Sequence, residues 1–283
     1  MRMIELQFKD ALSSAGLNTR DNIIGDGTLR RFQVDGDKPN SKNGWYVLFN
    51  DSCPSGAFGS WKTGESHKWS SKGYKNLNHN ERNAHSRKMV EARKKQNLEQ
   101  QQKREQARHR ANTIWSKAND CHDMHPYLVK KNVKAHGLRL SDNKLIIPMR
   151  DSTGTLHSIQ TIDENGNKRF LSGGRKQGCF HTLGTPQSKL NIVEGYATGA
   201  TLYEVTGIAT VVAFDAGNLI HVAKAWRSKY PALEVTICAD NDTQSPQNIG
   251  VIKAKQTALA ISGSVAIPPC HGDFNDFYNG INL

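Results

Sequence analysis

Short apolar runs alternate with helix-forming runs from residue 190 to residue 267, and no other feature of the chain limits the fold as strongly. Strands are predicted at 190–194, 208–213, 234–239 and 264–267, and helices at 197–206, 218–229 and 248–262. Strict alternation of this kind is typical of parallel βαβ units, whose sheet is covered by helices on both faces. The sequence therefore predicts an α/β fold with a parallel sheet in this part of the chain.

Acidic residues stand where these predicted strands end: Glu194, Asp215, Asp240, Asp242 and Asp273. Ligands of parallel sheets bind beyond the carboxyl ends of the strands, so we expect these acids to share one rim. Carboxylates brought together repel each other unless a cation lies between them, and Mg²⁺ prefers such oxygen ligands. The pattern predicts a divalent-metal site suited to phosphodiester chemistry, with helix capping as the alternative role for the acids.

Three segments of different composition precede the parallel sheet. Turn signals separate short β-favouring runs at 31–34, 45–49 and 57–61, which predicts a small β-rich module. Residues 81–118 lack Pro and Gly and predict a long basic helix, either a spacer or a nucleic-acid-binding face. Residues 144–171 predict a β-meander. We expect an aromatic and basic module at 1–75, a helical linker at 76–120 and a third region at 121–283, divided at 188/189 into a β-rich part and the parallel sheet.

The positive charge is concentrated in the front half of the chain. Residues 1–140 hold 26 Lys and Arg against 14 Asp and Glu, whereas residues 141–283 hold 12 of each. The front module also contains aromatic residues among these cations, a composition that suits stacking on unpaired bases and contact with phosphates. We therefore predict single-stranded DNA binding by Trp45, Tyr46, Trp61 and Lys62; the alternative is that these aromatic residues form a core.

The cysteines and the apolar segments exclude other classes of protein. The five cysteines are widely spaced and contain no C-x-x-C pair, so neither a zinc site nor a disulfide framework is expected. No stretch approaches the roughly 20 apolar residues of a membrane span. These observations predict a cytoplasmic protein with no membrane partner. The sequence contains no G-x-x-x-x-G-K-[ST] motif, the phosphate-binding loop of many ATPases.

Several motifs together resemble a known family. VEGYATG at 193–199, CADND at 238–242 and DFNDF at 273–277 resemble the Toprim domain of bacterial primases, topoisomerases and certain nucleases. With VVAFDAGNL at 211–219, LIIPMRD, KRFLSGGRKQGCF, HPYL and NGWYVLF, the chain is similar to the Toprim primases of conjugative plasmids and satellite phages. The resemblance covers most of the chain outside the basic helix.

The resemblance implies roles for individual residues. Glu194 would be the acid close to the reacting phosphate, Asp240 and Asp242 would hold metal, and Asp273 would complete the rim. The residues implied in nucleotide or template binding are Arg169, Arg175, Lys176 and Asn218. The chain departs from replicative bacterial primases in two ways: Thr198 stands where they usually carry an acid, and their N-terminal zinc ribbon is absent.

The family implies a DNA primase that makes short RNA primers on single-stranded DNA from nucleoside triphosphates with Mg²⁺ or Mn²⁺. Partners implied alongside are a separate replicative helicase and polymerase. Two alternatives remain open: a Toprim metal-dependent nuclease, and a non-catalytic protein that binds single-stranded DNA or initiates replication. A nuclease has less reason to carry Arg175 and Lys176 upstream of the Toprim segment.

Overall fold

The computed structural model describes residues 3–38, 41–51, 53–73, 76–244 and 247–280. The chain divides into two compact units, Met1–Gln101 and Gln102–Leu283. The predicted functional boundaries at residues 75, 120 and 188 stay predictions. Within the described residues, no helix combines the length and the apolar character that crossing a membrane requires.

The first unit is a four-stranded antiparallel sheet with a helix on one face. Its elements are α1 (Met3–Ser14), β1 (Arg30–Phe32), β2 (Gly44–Phe49), β3 (Ser55–Ser60) and β4 (Ser66–Ser70), with strand order β1-β2-β3-β4. Phe8 of α1 is fully buried and meets the Phe58 and Trp69 rings edge-on at centroid distances of 5.5 and 5.2 Å. Apolar residues four apart on α1, such as Phe8 and Leu12, face the sheet and form its core.

The long helix α2 (His79–Lys117) contains 39 residues and is strongly polar. In the first unit, His85 is buried and its Nε2 donates a hydrogen bond to the Gly56 carbonyl at 3.2 Å. In the second unit, Ala107 and Ala111 are fully buried, and Ala111 belongs to a cluster with Ile146 and Ile159. Small residues allow these turns of the helix to approach their neighbours closely, whereas most of its surface remains exposed.

An antiparallel sheet opens the second unit. Its strands are β5 (Asn119–Asp120), β6 (Arg139–Ser141), β7 (Lys144–Arg150), β8 (Leu156–Ile162) and β9 (Lys168–Phe170), in sequential order, and helix α3 (Pro126–Lys131) lies between β5 and β6 along the chain. The predicted meander is present, and every member of β7 from Leu145 to Met149 is buried. A strand buried on both faces explains why LIIPM is a continuous apolar run without alternation.

The second sheet of this unit is the predicted α/β sheet, with strand order β10-β12-β11-β13-β14. Its elements are β10 (His181–Leu183), β11 (Lys189–Val193), α4 (Tyr196–Thr206), β12 (Thr210–Val212), α5 (Leu219–Lys229), β13 (Glu234–Cys238), α6 (Ile249–Ile261), β14 (Ser264–Ala266) and α7 (Phe274–Tyr278). Strands β11 to β14 are parallel, and β10 pairs antiparallel with β12 at one edge.

Successive residues of β11 show that both faces of this sheet are covered. Val193 lies in a core cluster with Tyr196 and Ala200 of α4, whereas Ile192 lies in another with Val222 of α5 and Ala254 of α6. The predicted α/β class with helices on both faces, preceded by a β-rich region, a long basic helix and a small β-rich module, is confirmed. The prediction omitted β4 and β10, because both are short and rich in polar residues.

Candidate functional site

Glu194 and Asp240 follow neighbouring parallel strands at the carboxyl rim of the second sheet. Glu194 comes directly after β11, and Asp240 comes two residues after β13, which pairs with β11. Each has a buried carboxylate oxygen without a hydrogen-bond partner, Oε1 of Glu194 and Oδ1 of Asp240. Burial and the nearby Asp240 and Asp215 raise the pKa of Glu194 to about 7. Burial and Asp273 raise the pKa of Asp240 to about 6.

Gly250, in the first turn of α6, lies against both acids. A Cβ atom at this position would lie 2.6 Å from the Asp240 carbonyl oxygen and 3.4 Å from Glu194 Oε1. The first distance is too short for any side chain, so glycine allows the start of α6 to approach the rim. The helix N-terminus also brings its partial positive charge towards the acids.

Asp215 and Asp273 surround the pair, and each has a bond of its own. Oδ1 of Asp215 accepts a hydrogen bond from the Asn218 amide at 2.9 Å, and its Oδ2 forms an ion pair with Lys176. Oδ1 of Asp273 accepts from the amides of Asn275 and Asp276 at 2.7 and 3.0 Å, which caps α7. Capping is therefore part of the role of Asp273, and both cap bonds leave its Oδ2 for another partner.

Two lysines lie among the acids, and the sequence analysis did not select them. Lys131 Nζ is 3.1 Å from Asp276 Oδ1. The Lys168 side chain is largely exposed, but its amine lies 3.7 Å from the position a Cβ would take at Gly195. Loss of hydration at that amine lowers the pKa of Lys168, against the opposing effect of Asp273. Alternation along β9 was the available signal, since it turns Lys168 and Arg169 to opposite sides.

Asp242 differs from Asp240 in its exposure: Asp242 is exposed, whereas Asp240 has a buried carboxylate oxygen. Asn241 exchanges backbone hydrogen bonds with Gly272 at 2.8 and 3.0 Å, and its side-chain amide donates to the Pro268 and Cys270 carbonyls. This pairing fixes the chain between the two aspartates, and Asp242 is exposed. Among the described residues, no three His, Cys, Asp or Glu side chains are gathered as a ready metal site.

The rim nevertheless fits a divalent cation held in part by protein. Two buried carboxylate oxygens lack partners, and like charges raise the pKa of both groups. A cation of oxygen-preferring chemistry would remove this repulsion and supply the missing partner. Mg²⁺ commonly takes one or two carboxylates and completes its shell with water and substrate phosphates. Glu194 and Asp240 form a donor set of that kind.

The loop after β9 carries the two predicted basic residues, and both have partners. Nη1 of Arg175 is 3.6 Å from Asp151 Oδ2, which also contacts His157 Nε2 at 2.7 Å. Lys176 joins Asp215 and lies 4.9 Å from the Phe170 ring centroid. Arg169 is exposed on β9. The structure therefore brings Lys176 to the acidic rim through Asp215, whereas Arg175 is held against the antiparallel sheet.

Asn218 is a buried connector. Its side-chain Nδ2 donates to the Cys179 and Ala213 carbonyls at 2.9 and 2.8 Å, and its Oδ1 accepts from the Gly178 amide at 2.8 Å. With 3% of its surface exposed, the side chain has no face for a nucleotide in this conformation. Its predicted role in nucleotide binding is corrected to positioning: it ties the basic loop to the end of β12.

Thr198 lies in the first turn of α4 and is 1% exposed. The resemblance to replicative bacterial primases predicts an acid here, but at this buried position the charge of an acid would need a partner. Threonine avoids that cost, so the acids of the rim come from other elements.

In the first unit, Trp45 and Trp61 form a pair, with ring centroids 6.1 Å apart. Trp45 is half-buried, Trp61 is 51% exposed, and the Arg31 guanidinium lies 4.8 Å from the Trp61 ring centroid. Lys62 forms a 2.7 Å ion pair with Asp37, which lowers the pKa of that aspartate. Trp45 and Trp61 thus remain candidates for contact with bases.

Tyr46 does not. It is 2% exposed, its ring packs in the core with Phe8 and Phe32, and its hydroxyl accepts a hydrogen bond from the Ile24 amide. The prediction that Tyr46 stacks on DNA is corrected, because successive side chains of a strand point to opposite faces.

Comparison with known proteins adds a family to this geometry. Residues 189–280 match the model of a Toprim domain. Two proteins of Escherichia coli, both named DNA primase TraC, are 36% and 35% identical to the chain over 282 and 279 residues. Each match covers 93% of this chain, but the chain spans only 26% and 19% of those two proteins.

Among solved structures, the primase fragment of the bacteriophage T7 primase-helicase protein aligns with a TM-score of 0.39 and 15% identity. The alignment covers 54% of this chain and 65% of that one. The family match and the two sequence relatives stand without it. Residues 189–280 match a Toprim domain, and nearly the whole chain is similar to part of two proteins named DNA primase TraC.

Proposed function

We propose that this chain is a DNA primase, which joins nucleoside triphosphates into a short RNA primer on single-stranded DNA. The observation that carries the proposal is the half-buried pair of Glu194 and Asp240 at the rim of the parallel sheet, each with a buried oxygen that has no hydrogen-bond partner. Primer synthesis is a phosphoryl transfer, and this chemistry depends on positioning and on neutralising charge at the phosphate. A rim that attracts a cation meets that need.

Glu194 and Asp240 would hold Mg²⁺ or Mn²⁺, and Asp242 and Asp273 belong to the same predicted set. When bound, such an ion neutralises phosphate charge and lowers the pKa of an attacking hydroxyl. Of these two additional candidates, Asp273 is the better ligand for the ion. Its charge raises the pKa of Asp240, which indicates that the two carboxylates lie near each other, whereas Asp242 is exposed.

The residues of the rim also supply phosphate chemistry of their own. Glu194 is assigned to holding the ion, because its Oε1 is buried without a hydrogen-bond partner. The amine of Lys168 lies beside Gly195, and Lys176 lies on Asp215, where both can bind the triphosphate. Arg169 and Arg175 are the further cations of this predicted basic surface.

The proposal assigns template binding to the first unit and nucleotide binding to the second. Trp45 and Trp61 would stack on unpaired bases, and nearby cations such as Lys62 would contact phosphates. A separate replicative helicase would expose the template strand, and a polymerase would extend the primer. Because DNA template and nucleoside triphosphates are found in the cytoplasm of a bacterial cell, we propose that the protein acts there.

Primase and nuclease activity are separated by labelling different molecules in parallel reactions. With single-stranded DNA, nucleoside triphosphates and Mg²⁺ or Mn²⁺, labelled nucleotides should enter short products while an end-labelled template keeps its length. A shortened template without new products would replace the proposal by a nuclease. Binding of the template without either product would favour a non-catalytic DNA-binding protein.

A further inference from the structure

The first unit contains a cavity of about 580 Å³ between the outer face of its sheet and helix α2. Trp45, Val47 and Trp61 form the wall on the sheet side, and residues of α2 between Met89 and Asn97 form the opposite wall. The opposite face of the sheet is already filled by the core around Phe8. The cavity is thus a separate opening, of the size that small organic groups commonly occupy in proteins.

The sheet wall offers a planar aromatic surface. The Trp45 ring lies across Gly59 of the neighbouring strand, where a Cβ would come within 3.0 Å of the ring. Trp61 stands beside it and remains 51% exposed, with the Arg31 guanidinium against its ring. A glycine opposite a tryptophan lets the ring lie flat on the sheet, which suits stacking better than filling a core.

The wall formed by α2 combines apolar, cationic and carboxamide side chains on one face of the helix. Among its lining residues, Met89, Arg93, Gln96 and Asn97 are spaced 4, 3 and 1 residues apart, so they follow one face of α2. On this otherwise highly polar helix, an apolar residue thus lies one turn from a cation and two turns from two carboxamides. Carboxamides both donate and accept hydrogen bonds, whereas the Glu65 carboxylate on the opposite side only accepts them and already accepts one from the Thr63 hydroxyl.

We propose that this cavity holds one unpaired base of the single-stranded template and discriminates between bases. Resting on the proposed primase function, it adds a site of sequence preference. The base would stack on the indole wall, Gln96 and Asn97 would bind its polar edge, and Arg31 and Arg93 would contact the adjoining phosphates. An apolar peptide would use the tryptophans but would leave the arginines and both carboxamides without a role.

Binding should be measured by fluorescence anisotropy on the full chain without metal or nucleoside triphosphates, so that loss of catalysis cannot affect it. The probes are a labelled oligo-dT and the same oligonucleotide with one central dA, dC or dG. The wild type should prefer one of the four by roughly tenfold, the size of one well-formed pair of hydrogen bonds. Equal affinity for all four would overturn the proposal.

Two kinds of variant separate stacking from base discrimination. Trp61→Ala should weaken all four complexes by about tenfold, because stacking on aromatic rings does not depend strongly on the base. The double variant Gln96→Ala, Asn97→Ala should lose the preference between bases. It should bind all four oligonucleotides with about the affinity that the wild type has for the least favoured one. Gln102→Ala, an exposed glutamine of the same helix outside the cavity, should leave both unchanged.

These binding measurements test the base site independently of primer synthesis. A preference that survives the double substitution would contradict the role of the helix wall, and unchanged binding by Trp61→Ala would contradict the cavity as a DNA site. Primer synthesis that fails while base preference is present would leave this site intact and remove the primase proposal. Circular dichroism of each variant identifies any loss of folding.

Discussion

At the scale of single residues, Glu194 is held in an unfavourable state without a cation. Burial, Asp240 and Asp215 raise its pKa from an ordinary 4.5 to about 7. The groups that set the field around the pair are Asp215, Asp240, Asp273, Asp276, Lys131 and Lys168. A carboxyl group whose pKa is raised in the folded protein keeps a proton that the unfolded chain has lost, so stability falls as the pH rises between the two values.

We therefore expect the metal-free protein to lose stability between about pH 4.5 and pH 7, more steeply than Glu194→Gln. The rise in the pKa of Glu194 corresponds to a loss of at most about 3 kcal/mol in the free energy of unfolding, or several degrees in Tm. Thermal unfolding in EDTA at several pH values, with the two proteins compared at each pH, measures this difference. Mg²⁺ should reduce it in the wild type. Parallel curves for the two proteins would mean that the Glu194 carboxylate is not strained.

Gly250 tests how closely α6 must approach the acids. In Gly250→Ala the new Cβ would meet the Asp240 carbonyl at 2.6 Å, so the helix or the rim must shift. We expect destabilisation of about 1 to 3 kcal/mol and a weaker rise of Tm with Mg²⁺. Gly217→Ala, where the nearest atom is Asp215 Oδ1 at 3.2 Å, is the milder control. A full response of Tm to Mg²⁺ in Gly250→Ala would show that this approach is unnecessary.

At the scale of elements, Asn218 joins the loop of Arg175 and Lys176 to the sheet. Asn218→Ala removes three side-chain hydrogen bonds and leaves the Gly178 amide and two carbonyls without them. Unsatisfied buried groups cost about 1 to 3 kcal/mol each, although some would gain water. We expect Tm to fall by at least about 5 °C. An unchanged Tm with a raised KM for nucleoside triphosphates would instead indicate direct contact with substrate.

The sequence predicted most elements of the Toprim sheet within one or two residues, because its alternating periods are local and its helices end at glycines such as Gly207. It did not predict the pairing between Asn241 and Gly272, which lies thirty-one positions further along the chain. Short β10 was missed for the same reason, since its stability comes from pairing with β12. Non-local pairing leaves little trace in local periodicity.

The same distinction applies within the candidate sites. The alternation of side chains along β2 places Trp45 and Tyr46 on opposite faces of the sheet. The aromatic and basic composition of the module, taken alone, predicts DNA binding by both. The position of Lys168 beside Gly195 needed the packing of two sheets, so sequence spacing could indicate only its side of β9.

At the scale of the whole molecule, the net positive charge is confined to one half of the sequence. The front half carries the entire net charge of +12, whereas the half with the acids is neutral. Binding of single-stranded DNA should therefore depend strongly on salt. With about three phosphates neutralised, affinity should fall roughly 20-fold between 50 and 200 mM salt. Anisotropy titrations over this range measure the slope, and a slope near zero would exclude phosphate contacts as the source of affinity.

Primer synthesis by the wild type, Glu194→Gln and Asp240→Asn on single-stranded DNA tests the central claim most directly. Labelled nucleotides with Mg²⁺ or Mn²⁺ report the rate, and circular dichroism confirms that each variant is folded. We expect the wild type to make short products and each substitution to lower the rate at least about 100-fold, the scale on which loss of charge stabilisation acts. Full activity in both folded variants would contradict the assignment of the chemistry to this buried pair.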